Sequence, residues 1–233
     1  MLDLNFMGYF LLFLVELVFL FFLSRKLVDS LARIIYKFTG SHRAVVHTLA
    51  VIFLPGTIIH ELAHLLFAGI MLVPVGELSI IPEIEEGGVK LGSVQIGKTD
   101  PFRRMIIGVA PVLLGMILIF SLFLFVKFGV SPWWQIVLVL YLIFEIGNTM
   151  FSSKKDIEGS ILFLVLIITL LLAAGTFLYF INPATLQNLW LYIFKLNFEF
   201  AANFFKQGSI YLAIPVVLNI LIILLTRPFR KGF

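Results

Sequence analysis

Long runs of apolar residues set what this chain of 233 residues can fold into. Hydrophobic residues make up 61% of the sequence and charged residues 13%, a composition that excludes an ordinary water-soluble domain. A helix needs about 20 apolar residues to cross the hydrocarbon core of a bilayer. Runs of about that length predict six membrane-spanning helices, over residues 4–23, 44–73, 103–126, 132–151, 160–181 and 208–226.

A break in the helical pattern separates the second and third predicted spans. Residues 74–101 mix short stretches of Val, Ile and Leu with Gly and Pro, which predicts two or three short strands joined by turns. A sheet edge cannot face lipid, so these strands lie either at the surface or folded back against protein. The predicted fold is an all-α polytopic membrane protein with about six transmembrane helices and a small membrane-associated β-hairpin.

Three regions follow from this pattern. Residues 1–43 hold the first span and then, over 24–43, a basic amphipathic segment that is expected to form a separate helix on the membrane surface. Residues 44–160 hold three spans and the hairpin. Residues 161–233 hold the remaining spans and an aromatic-rich segment, 183–206, which we expect to be an interfacial helix and not a seventh span.

The second span contains the pentamer His60-Glu61-Leu62-Ala63-His64. Residues four apart on a helix share a face, so both imidazoles can bind one metal ion, and Glu61 lies beside them as a candidate base. The chain has only four histidines, and ionisable groups at membrane depth are costly enough to indicate function. The pentamer therefore predicts a metal site with one Zn²⁺ per chain.

A catalytic zinc takes three protein ligands and leaves one position for water. The chain has no cysteine, so the third ligand must be a histidine or a carboxylate. His42 and His47 are poor candidates, because at least thirteen residues, about 20 Å of helix, separate them from His60. Iron-dependent membrane hydroxylases need many more than four histidines, which excludes that class.

The remaining candidates for the third ligand are carboxylates in the fourth predicted span and just after it. Glu145 lies in the fourth predicted span, and Asp156 follows it, with Glu158 behind. Composition does not choose between Glu145 and Asp156.

Taken together, these features resemble the site-2 protease family of intramembrane zinc metalloproteases. The resemblance covers about 44–160 and rests on His60-Glu61-x-x-His64, Ala68-Gly69, the Gly-bearing hairpin, Gly108-Val109-Ala110-Pro111, and Asn148 eight residues before Asp156. The chain resembles a divergent member, since Phe151-Ser152-Ser153-Lys154-Lys155 stands where the family usually has a Pro-rich stretch.

The resemblance implies a role for each matching residue. His60, His64 and Asp156 would be the zinc ligands, and Glu61 would be the general base. Asn148 would contact the substrate or the transition state, with an ordinary interhelical amide as the alternative for this residue.

The implied activity is hydrolysis of peptide bonds in membrane-anchored proteins, as in regulated intramembrane proteolysis. The expected partners are a transmembrane protein substrate and the lipid bilayer, and the net charge of +4 carries no nucleic-acid signature. The expected location is a prokaryotic cell membrane, as a multi-pass protein. Two other classes stay open: a metal-binding membrane transporter or assembly factor, and an inactive protease-like chaperone that binds transmembrane helices.

Overall fold

The computed structural model describes the backbone of residues 4–79, 83–85, 88–90, 92–126, 130–151, 154–184, 188 and 199–230, and the side chains of 6–79, 92–126, 130–151, 165–184, 188 and 199–228. Within these residues the chain forms six long α-helices and four short β-strands. The helices are α1 (Leu4–Thr39), α2 (His42–Ile70), α3 (Pro101–Leu124), α4 (Trp133–Thr149), α5 (Lys154–Ile181) and α6 (Glu199–Thr226), and a 3-10 helix, Arg227–Arg230, follows α6.

Four of these helices, α1, α2, α3 and α6, are long and apolar enough to cross a membrane. α4 is apolar but has 17 residues, and the apolar part of α5 with described side chains is Val165–Ile181. The prediction of an all-α membrane protein with a small β-hairpin is confirmed.

α1 runs without a break to Thr39, so the separate surface helix predicted over 24–43 is wrong. No proline or glycine lies between residues 9 and 39. The hydroxyls of Ser24 and Ser30 donate to backbone carbonyls one turn earlier and so do not compete with the helical hydrogen bonds. The charge pattern changes at residue 24, but nothing in the sequence stops the helix there.

The second half of α1 is packed against protein along its apolar face. Leu27 is fully buried and belongs to one hydrophobic cluster with Leu49 and Phe53 of α2 and Ile223 of α6. Burial of such a side chain stabilises the fold by about 1.5–3 kcal/mol. Its packing partners lie on other helices, which explains why this segment does not form an independent amphipathic helix.

The beginning of α6 also differs from expectation. Residues 199–206, predicted as part of an interfacial helix over 183–206, form the first two turns of α6. Phe205 packs edge-on against Phe10 and Phe13 of α1, with ring centroids 5.1 and 5.4 Å apart. Residues 185–187 and 189–198 of the predicted interfacial helix lie outside the described residues.

The strands form two nested antiparallel pairs. They are β1 (Val75–Ser79), β2 (Glu83–Glu85), β3 (Gly88–Lys90) and β4 (Ser93–Ile96). β1 pairs with β4, and β2 pairs with β3. The structure thus has four strands where two or three were predicted. β1 and β4 both contact α2.

α2 and α4 run parallel and approach each other closely. A Cβ atom at Gly56 would lie 2.6 Å from the Thr149 hydroxyl and 2.7 Å from the Glu145 carbonyl oxygen. One turn earlier, the Tyr141 hydroxyl donates to the Ile52 carbonyl at 3.1 Å. Because the numbers of the contacting residues increase together along α2 and α4, the two helices run in the same direction.

Replacement of Gly56 tests whether the close approach of α2 and α4 contributes to stability. Gly56→Ala places a methyl group against α4 backbone and is expected to lower the free energy of unfolding by about 1–3 kcal/mol. Gly69→Ala on the same helix is the matched control, because nothing lies within 4 Å of its Cβ position. Thermal unfolding in detergent, followed by circular dichroism, measures both. Equal stability of the two variants would contradict the close α2–α4 contact.

Candidate metal centre

The three polar side chains of the pentamer lie on the buried side of α2. His60, Glu61 and His64 are 3%, 3% and 5% exposed. The Nε2 atoms of the two histidines face each other at 3.2 Å, and their ring planes are nearly perpendicular, at 85°. Two nitrogens bound to one tetrahedral zinc at about 2.0–2.1 Å lie about 3.3 Å apart. The spacing of the two imidazoles therefore fits a shared zinc ion.

The third helix orients one of these imidazoles. His64 Nδ1 lies 2.9 Å from the backbone carbonyl oxygen of Ile107 in α3. A carbonyl only accepts, so Nδ1 carries the proton and Nε2 keeps the lone pair that binds a metal. Ile107 is fully buried, so this partner is held in place. Sequence reasoning missed it, because a backbone carbonyl leaves no side-chain signal.

The β-hairpin folds back over the carboxylate of the pentamer. A Cβ atom at Gly92, just before β4, would lie 3.0 Å from Glu61 Oε1 and 2.8 Å from Thr57 Cγ2. Of the two positions open to the hairpin from sequence, the structure therefore has the one against protein. Glycine at position 92 lets the backbone come this close to Glu61.

Glu145 is fully buried in α4 but is not gathered with the histidines. Neither of its carboxylate oxygens has a hydrogen-bond partner among the described residues. Its carbonyl lies beside Gly56, one helical turn before His60. Among the described side chains no three His, Cys, Asp or Glu residues form a group that could hold a metal ion. Among the described side chains, Glu145 thus does not join His60 and His64 in one group.

Asp156 and Glu158 lie in the first turns of α5, and their side chains are outside the described residues. Only four residues separate α4 from α5. Asp156 as the third ligand stays a prediction.

Asn148 is held in a contact between helices. Its Nδ2 donates to Asn219 Oδ1 of α6 at 3.1 Å, and Asn219 Nδ2 donates back to Asn148 Oδ1 at 2.7 Å. Asn148 Nδ2 also donates to the Phe144 carbonyl. The structure thus places Asn148 in an interhelical amide pair, the alternative considered from sequence, and its substrate contact stays a prediction. Asn219 was missed, although a lone amide inside an apolar run was the available signal.

No protein-family model, no curated protein and no solved structure matches this chain.

Paired substitutions test the Asn148–Asn219 contact. Asn148→Leu and Asn219→Leu each leave the partner amide without its bond, so each is expected to destabilise the protein. The double variant is expected to lose about 1 kcal/mol less than the sum of the single losses. Denaturant unfolding of the three variants in mixed micelles measures this coupling. Strict additivity would show that the two amides do not interact.

A methyl group at position 92 tests the position of the hairpin. Gly92→Ala places a methyl group against Thr57 and Glu61 and is expected to lower the free energy of unfolding by about 1–3 kcal/mol. Thr57→Ser removes only the nearest methyl group, Cγ2, and is expected to restore part of the lost stability when combined with Gly92→Ala. Thermal unfolding in detergent measures the three variants. A Gly92→Ala variant with wild-type stability would exclude the close approach.

Proposed function

We propose that this protein is an intramembrane zinc metalloprotease that hydrolyses peptide bonds of membrane-anchored proteins, as the resemblance to the site-2 protease family implies. The observation that carries the proposal is the pair of Nε2 atoms of His60 and His64, which face each other at 3.2 Å inside an apolar helix. Glu61 lies between them in sequence and is buried under the hairpin.

His60 Nε2 and His64 Nε2 would hold the zinc, together with a carboxylate oxygen of Asp156. When bound, zinc supplies a water whose pKa is lowered to about 7 and a positive charge that polarises a carbonyl. The hydrogen bond from His64 Nδ1 to the Ile107 carbonyl orients this imidazole with its Nε2 towards His60.

Glu61 would move the proton that peptide hydrolysis requires. It accepts a proton from water as the water oxygen bonds to the carbonyl carbon, and it returns the proton to the amide nitrogen as the C–N bond breaks. The products are a carboxylic acid and an amine, so Glu61 ends the cycle ionised as it began. Its carboxylate lies away from bulk solvent, which strengthens its electrostatic interactions with the reacting groups.

The hairpin would hold the substrate in an extended conformation. Amides in an intact transmembrane helix are engaged in their own hydrogen-bond ladder, so a substrate must unwind before it can be cut. β1 and β4 form a two-stranded sheet among the described residues, and a substrate strand added beside β4 would extend it. Because Gly92, just before β4, lies close to Glu61, such a strand would run towards the proposed catalytic carboxylate. Ser93 and Gln95 are candidate contacts along that strand.

Removal of the proposed base tests the reaction. Glu61→Gln is expected to lower peptidase activity on the order of 10²–10⁴-fold while one zinc per chain is retained. His64→Ala is expected to lose zinc and activity together. Activity is measured by cleavage of a panel of membrane-anchored substrates in proteoliposomes, and zinc by elemental analysis.

Glu16→Gln is the matched control, because it makes the same chemical change within another apolar helix. It is expected to keep both zinc and activity. Full peptidase activity of Glu61→Gln would show that Glu61 is not the base. A wild-type protein that binds one zinc per chain but cleaves none of the substrates would favour a transporter or an assembly factor. A wild-type chain that binds less than one zinc would favour an inactive helix-binding protein.

A further inference from the structure

α1 is much longer than a bilayer core requires. Its 36 residues extend about 54 Å, against a hydrocarbon thickness of about 30 Å. Residues 4–23 carry a single charged side chain, Glu16, and Arg25 and Lys26 follow directly. The apolar part of α1 alone is long enough to cross the core, so the basic part lies beyond it.

α6 ends its apolar segment beside the point where α1 changes from apolar to basic residues. Ile223 of α6 packs in one cluster with Leu23 and Leu27 of α1. Arg227 begins the 3-10 helix directly after α6, and this 3-10 helix contacts α1. The apolar segments of two neighbouring helices thus end side by side. This places the edge of the hydrocarbon core near Leu23 of α1 and Thr226 of α6.

Basic side chains gather just beyond this edge. We call Arg25, Lys26 and Arg33 of α1, with Arg227, the basic ledge. Lys26, Arg33 and Arg227 are exposed, and Lys26 and Arg33 share one face of α1 because they are seven residues apart. Asp29 is the one acidic residue in the sequence from 24 to 76 apart from Glu61. The ledge therefore carries a concentrated positive charge that faces away from the bundle.

The guanidinium of Arg25 lies 4.4 Å from the centroid of the Phe21 ring, one turn back towards the apolar part of α1. Its charged group thus lies over one of the last aromatic rings of the span. A long cationic side chain with an apolar stem takes up this arrangement where hydrocarbon meets head groups. The contact supports the position of the edge and keeps one positive charge close to it.

We propose that the basic ledge binds the phosphate groups of anionic phospholipids in the adjoining leaflet. Phosphodiester oxygens accept hydrogen bonds from guanidinium and ammonium groups, and the ledge begins where lipid head groups lie. Near a membrane surface each Lys or Arg raises the affinity for anionic lipid about five-fold. An acidic protein partner would not need the charges to start at the end of an apolar span.

Lipid selectivity of the full-length protein tests the proposal. The variant Lys26→Gln/Arg33→Gln/Arg227→Gln removes three ledge charges at exposed positions. The control Lys98→Gln/Arg104→Gln/Lys206→Gln removes three exposed charges elsewhere. Each protein is equilibrated with equal amounts of phosphatidylglycerol and phosphatidylcholine in mixed micelles, and native mass spectrometry counts the lipids that stay bound. Circular dichroism checks that both variants keep the wild-type helix content.

Wild-type protein and the control are expected to retain phosphatidylglycerol in preference to phosphatidylcholine. The ledge variant is expected to lose at least about ten-fold in this preference, given about five-fold per charge and partial screening. Rising salt should weaken the preference of the wild type. The proposal is overturned if the ledge variant keeps the wild-type preference, if both variants lose it equally, or if the wild type shows none.

Discussion

The constraint on which this structure depends is the cost of polar groups inside an apolar bundle. Each imidazole, carboxylate or amide at membrane depth costs several kcal/mol unless protein groups satisfy it. The pentamer places three such groups within five residues of α2. Neighbouring elements surround these groups. The Ile107 carbonyl of α3 accepts a hydrogen bond from His64, and the backbone of the hairpin at Gly92 lies close to Glu61.

Close helix contacts make these arrangements possible. Gly56 lets α4 approach α2 one turn before His60. Asn148 and Asn219 then tie α4 to α6 through two reciprocal hydrogen bonds. Asn148, for which the motif resemblance implies a substrate contact, thus lies in the packing of the core. Glu145, whose carboxylate oxygens have no hydrogen-bond partner among the described residues, shows that the bundle tolerates a buried carboxyl group in α4.

Much of the fold follows from local sequence, and much of the site does not. Apolar runs predicted α2, α3 and α4 to within a few residues, because length and composition decide whether a segment crosses a bilayer. α1 continues to Thr39 and α6 begins at Glu199, well outside the predicted spans. The spacing of His60 and His64 put both rings on one face for the same local reason. The contact of Gly92 with Glu61 and the pairing of Asn148 with Asn219 join distant parts of the chain, and periodicity carries no information about them. The basic residues from Arg25 onwards predict the end of the membrane span, but they do not end the helix. Residues 9–39 contain no proline or glycine, so α1 continues to Thr39.

Zinc K-edge X-ray absorption of the purified protein tests the central claim most directly. The account predicts one zinc per chain with two imidazole nitrogens and one carboxylate oxygen at about 2.0–2.2 Å. It also predicts that Glu145→Gln leaves this spectrum unchanged, whereas Asp156→Asn lowers zinc occupancy. A spectrum without imidazole nitrogens, or zinc that is lost in Glu145→Gln and kept in Asp156→Asn, would contradict it.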